Sequence, residues 1–179
     1  MPFTPLHMGP GLFMKAVAGR HFSVLAFGIA QVAMDIEPLI GMMRGSAVLH
    51  GATHTYVAAI LMALLVAILA PPICRPVLRR WNRELSYHKL DWLIAPESLA
   101  PVPVVIGAFI GTLSHVALDS LMHADIRPLA PWSSSNVLLQ MSPGVSLDVL
   151  CVAAGAVGVV GWLAAGLLRR RAGRADGKN

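Results

Sequence analysis

The sequence predicts an all-α, polytopic helical membrane protein: a short N-terminal helical hairpin followed by three long transmembrane helices. Three observations carry that reading. Of the 179 residues 56% are hydrophobic and 13% charged, and the mean hydropathy is +0.67, well to the apolar side of soluble domains. Apolar runs approaching the ~20 residues that a bilayer core requires recur along the chain. The charges gather between those runs rather than within them.

The elements follow in order. Gly9-Pro10-Gly11 opens a first short helix, Leu12 to Ala18, and Gly19-Arg20 breaks it. A second runs from Phe22 to Met34 and stops at Asp35, with Pro38 just beyond. Neither is long enough to span alone. As an antiparallel hairpin turning at Gly19, the pair brings His7 and Asp35 to the same level. As one continuous helix it separates them, and Gly19 favours the hairpin. Thr55–Ala70 is the clearest spanning segment, closed by Pro71-Pro72. A basic loop, 73–100, follows, with Trp81 and Trp92 suited to headgroup level. Val102–Met122 is the next span. Val145–Leu168 is the last, with glycines suited to close helix packing. Residues 1–168 read as a single membrane-embedded domain and 169–179 as a basic cytoplasmic tail.

The charge distribution orients the chain. With the hairpin in place, twelve of the fourteen Lys and Arg residues fall on one side, which the positive-inside rule makes cytoplasmic. The net charge of +5 is therefore topogenic, and no nucleic-acid partner is expected through these loops. The lipid bilayer is the expected surrounding. Cys74 and Cys151 have no metal-ligand or disulfide spacing. The protein is placed as an integral membrane protein with a cytoplasmic C-terminus.

The chemistry-bearing residues collect on the other, external side. GTLSHVALDSLMHADIRPLAPW holds His115, Asp119 and His123 at i, i+4, i+8, one stripe of a helix. Such groups in an apolar helix mark a functional site. His115 and His123 lie ~12 Å apart along a helix, too far to share one ion. The stripe suits two adjacent metals with Asp119 between them, or one metal and a separate hydrogen-bonding His. As a packing seam it would carry no ion. His50 and His54 repeat the i, i+4 spacing, and Asp35, Glu37 and His7 reach the same side. Five imidazoles and three carboxylates on one patch make a metal-site composition. No nucleophile elbow, phosphate loop or dinucleotide fingerprint occurs.

These segments, MPFTPLHMGPG, MDIEP, HGATHTY and the His-x3-Asp helix, resemble those of the membrane-bound metal-dependent hydrolases, the LexA-regulated, YdjM-like group. The resemblance implies metal ligation by His7, Asp35, His50, His54, His115 and Asp119; His123 fits some members only. Glu37 stands where the family commonly has Asp. The ligand order is also similar to that of the zinc-dependent phospholipases C. The implied cofactor is a divalent ion, zinc first, with manganese or iron as alternatives. The implied reaction is hydrolysis of a phosphoester-type, amphipathic small molecule at the external membrane face, with Asp35 or Glu37 taking the proton from water. The competing reading is a metal transporter or sensor without hydrolytic activity.

Overall fold

The computed structural model describes residues 5–141 and 146–176. Among them there are five α-helices and no strand: α1 (Met8–Ala18), α2 (Val24–Met43), α3 (Tyr56–Tyr87), α4 (Pro101–Met122) and α5 (Leu147–Asp176). The protein is all-α, and α2 to α5 are each long and apolar enough to cross a membrane.

The hairpin forms where Gly19 predicts it. Gly19 adopts φ 53°, a backbone region that costs glycine little. Lys15 Nζ bridges the turn, donating to the carbonyls of Gly19 (2.8 Å) and Phe22 (3.0 Å). Ser23 then caps α2, its hydroxyl accepting from the Ala26 N–H, a contact worth ~1 kcal/mol. The second arm is longer than expected. Instead of stopping at Asp35, α2 continues through Pro38 to Met43. Proline costs a helix ~3 kcal/mol in isolation. Here Met34, Asp35 and Pro38 are all buried against neighbouring elements, and that packing outweighs the lost hydrogen bond.

The same competition decides α3. Pro71-Pro72 does not end it; the helix runs 32 residues and contains Pro71, Pro72 and Pro76. Its buried side chains Val66, Ala70, Cys74 and Leu78 continue one stripe at four-residue spacing straight through the prolines, so the packed face holds the helix together. Much of the basic stretch expected as a loop is therefore helical. The last helix likewise extends past Leu168 to Asp176, through basic residues expected in the tail.

Helices α2, α3 and α4 form a three-helix bundle. Its core is built from small residues, Ala26 and Ala30 on α2, Ala63 and Ala70 on α3, Ala108 on α4, with Val66 and Val104. Small side chains let membrane helices approach closely. At Gly107 and Gly111 a Cβ would collide with the backbone of α2 at Ser23 and with the side chain of Ala30. That close crossing sets Asp35 on α2 level with His115 on α4. A second small core, Met34, Ala59 and Val116, closes the bundle beneath the polar residues. Helix α5 packs chiefly on α1, where Gly9 and Gly158 leave no room for a Cβ.

Candidate metal centre

One end of the bundle gathers the ionisable side chains. His115 and Asp119 are one turn apart on α4, and both are buried, as the stripe predicts. Asp35 comes from the C-terminal half of α2. His54 closes a 3-10 turn, Ala52–His54, immediately before α3. His7 precedes α1. One donor atom from each of Asp35, His54, His115 and Asp119 lies within 4.8 Å of the other three. His115 Nε2 is 3.1 Å from Asp119 Oδ2 and 3.4 Å from Asp35 Oδ1. His54 Nε2 is 3.4 Å from Asp119 Oδ2. His7 Nε2 is 3.6 Å from Asp119 Oδ1.

The tautomers at this centre follow from its hydrogen bonds. Gln31 Nε2 donates to the Gly111 carbonyl (3.0 Å), which leaves Gln31 Oε1 facing His115 Nδ1 at 2.6 Å. An amide oxygen only accepts, so His115 Nδ1 carries the proton. Glu37 plays the corresponding part for His54. Its carboxylate accepts the N–H groups of Ala52 (3.1 Å) and Thr53 (2.9 Å) and the Thr53 hydroxyl. With its proton given to Glu37, the Thr53 oxygen accepts from His54 Nδ1 at 3.0 Å. Both imidazoles thus present Nε2 to Asp35 and Asp119. Among the described residues neither Nε2 has a hydrogen-bond partner, although both are buried.

Two further expected ligands stand slightly apart. His50 and His123 stack with ring centroids 4.4 Å apart, and with Asp125 they form a second group. Asp125 Oδ1 is 3.0 Å from His50 Nδ1, and its Oδ2 accepts the N–H groups of Leu49 and His50, each at 3.2 Å. Burial pushes the Asp125 carboxyl upward, but these hydrogen bonds and the nearby imidazole hold it below the usual carboxylate value. Burial and the neighbouring His50 keep His123 below the usual histidine value. At His7 burial also lowers the value, outweighing the pull of Asp119. The two groups touch through His50 and His54, whose centroids are 4.8 Å apart.

The stripe therefore divides. His115 and Asp119 face inward, and His123 leaves the helix end for the outer group. Asp119 lies with the inner group and does not stand between the two. Glu37 holds the His54 turn, with both oxygens engaged by that turn. Gln31 and Asp125 were missed by sequence reasoning. For Gln31 a signal existed: it stands at i, i+4 with Asp35 in an apolar helix, the spacing that singled out His115 and Asp119.

A family model described as YdjM inner membrane protein matches residues 14–174. The chain belongs to the YdjM family of inner membrane proteins. That match spans α2, α3 and α4 and every residue of both groups; His7 lies before it. Comparison with curated proteins and with solved structures finds no match. The likeness to the zinc-dependent phospholipases C thus rests on ligand order.

Proposed function

We propose that this YdjM-family protein is a metal-dependent hydrolase whose inner centre binds a divalent cation through Asp35, His54, His115 and Asp119, with His7 completing the site. The observation that carries the reading is the pair of fixed imidazoles. Two Nε2 atoms and two carboxylates converge in a buried space, a donor set that one divalent cation would satisfy. The distances agree. The imidazole nitrogens and carboxylate oxygens lie 3.1 to 3.4 Å apart, close enough for these residues to hold one ion between them. Two imidazoles and two carboxylates suit zinc, and also manganese or iron.

When bound, such an ion supplies a Lewis acid and brings the pKa of water toward neutrality. The chain's own part is positional. Gln31 and Glu37, the latter through Thr53, hold the two imidazoles in one tautomer and orientation. On this reading Asp35 takes the proton from the attacking water. The buried Met34, Ala59 and Val116 keep the floor of the site dry. For substrate, the reading is a phosphoester-type amphipathic molecule. An apolar groove of about 480 Å³ runs along α2 from Val24 to Ile36 and past Met8, the neighbours of Asp35 and His7. Its lining fits a hydrocarbon chain with the polar end at the centre. On this reading the positive-inside rule favours a cytoplasmic C-terminus and a site toward the external face, with residues 1–168 as one membrane-embedded domain and 169–179 as a basic cytoplasmic tail.

A transporter would need polar groups along the whole span. The buried ionisable residues instead cluster at one end of the bundle, which favours the enzyme. The test is the metal content of the detergent-purified protein beside Asp119→Ala and His115→Ala. Bound metal in the wild type that both folded variants lose at the inner centre is the expected result, followed by turnover of phosphodiester or phospholipid substrates. A folded wild type that stays metal-free after reconstitution with zinc and manganese would overturn the reading and leave an imidazole–carboxylate packing network.

A further inference from the structure

We propose that His50, His123 and Asp125 form a second divalent-cation site, separate from the inner centre and on its outer side. One donor atom from each lies within 4.8 Å of the others. The three come from two stretches of chain far apart in sequence, the segment before α3 and the segment after α4. Each half is fixed in place. Asp125 is anchored by the backbone N–H groups of Leu49 and His50. The backbone carrying His123 is held by Asn136, whose Nδ2 donates to the carbonyls of Ser120 (2.9 Å) and His123 (3.1 Å). The segment beyond is tied to α3 by the Tyr56 N–H, which donates to the Pro128 carbonyl at 2.9 Å.

Two features point to a ligand rather than to a packing contact. His50 is 4% exposed, yet its Nε2 has no hydrogen-bond partner among the described residues. A buried imidazole nitrogen left without one is costly. Second, His50 and His123 stack nearly parallel, with 26° between their planes, beside a carboxylate already committed to the same loop. Two imidazoles assembled beside a carboxylate are the donor set of a borderline divalent ion. The side chain of Asp125 is 32% exposed, against 8% for Asp35. Three donors at a partly open position leave coordination unfinished, as in sites that also take water or a substrate oxygen.

The site does not depend on the inner centre being occupied, and the experiment separates them. Full-length protein in detergent is stripped of metal and titrated with Zn²⁺ by equilibrium dialysis, as wild type, His123→Ala, Asp125→Asn and Asp119→Asn. Size-exclusion profile and circular dichroism check the fold. Among the described residues the His123 side chain makes no hydrogen bond to the backbone, so His123→Ala is the primary variant, with His123→Gln in reserve. The expected result is two equivalents in the wild type and one in each variant, the lost equivalent weakened more than tenfold. One equivalent in the wild type, lost in Asp119→Asn and kept in His123→Ala, overturns the outer site and leaves the inner one standing. One equivalent lost in His123→Ala and kept in Asp119→Asn does the reverse. Two equivalents retained in His123→Ala and Asp125→Asn also overturn it.

Discussion

The inner and outer groups use the same chemistry, imidazole and carboxylate, in different surroundings. The inner one sits on helix interiors and a tight turn, and its oriented histidines have supporting residues behind them, Gln31 for His115 and Thr53 with Glu37 for His54. The outer one is made by two loop segments clasped through Asp125. Helices joined by a packed alanine core fix donor positions closely, whereas loop donors depend on a few hydrogen bonds. The inner centre is therefore suited to hold an ion permanently, and the outer one to exchange it.

The largest expected effect on that contrast comes from Asp35→Ala. It removes an inner donor and leaves His115 Nε2 facing only Asp119, so the inner equivalent of metal is lost while the outer one stays, as elemental analysis of the folded protein measures. Next is chelation. EDTA should remove metal from the wild type in two phases, the faster absent from His123→Ala, with rates at least tenfold apart. A single phase would erase the difference between the groups. Gln31→Leu keeps every ligand but frees the His115 ring. Losses from such supporting residues run at about 10–100-fold in affinity, here at the inner centre alone, read by competition with a metal indicator.

Glu37→Gln sharpens the comparison further, because Glu37 supports His54 rather than facing Asp119. Inner affinity should fall about tenfold, at the low end for an outer-shell change, and turnover should recover at saturating metal. If turnover stays abolished while metal remains bound, Glu37 is itself the proton acceptor. The smallest effect belongs to His88→Ala. His88 is exposed at the end of α3, remote from both groups, so metal content should be unchanged and stability should move within ~0.5 kcal/mol, as thermal unfolding in detergent reports.

Much of the candidate site was legible because helix periodicity is a local property. The i, i+4 spacing of His115 and Asp119 places them on one face whatever packs against it. Gly19 announces the turn that returns α2 toward His7. The prolines misled for the converse reason. Their cost is local and visible in sequence, while the packing that overcomes it at Pro38 and Pro71-Pro72 involves side chains distant along the chain. Asp125 gave little warning, since an acidic residue in a polar loop is ordinary until its partners at Leu49 and His50 are known.

The sequence by itself determined an all-helical membrane protein, the approximate spans, and a one-sided set of histidines and acids, because hydropathy and periodicity act over neighbouring residues. Only the tertiary structure decided which histidines and carboxylates belong together. The close crossing at Gly107 and Gly111 brings Asp35 to His115. Hydrogen bonds to Gln31 and Thr53 choose the tautomers, and the clasp of Asp125 on the His50 backbone holds His50 beside His123. Those choices are made between residues up to 84 positions apart, and no local pattern encodes such distances.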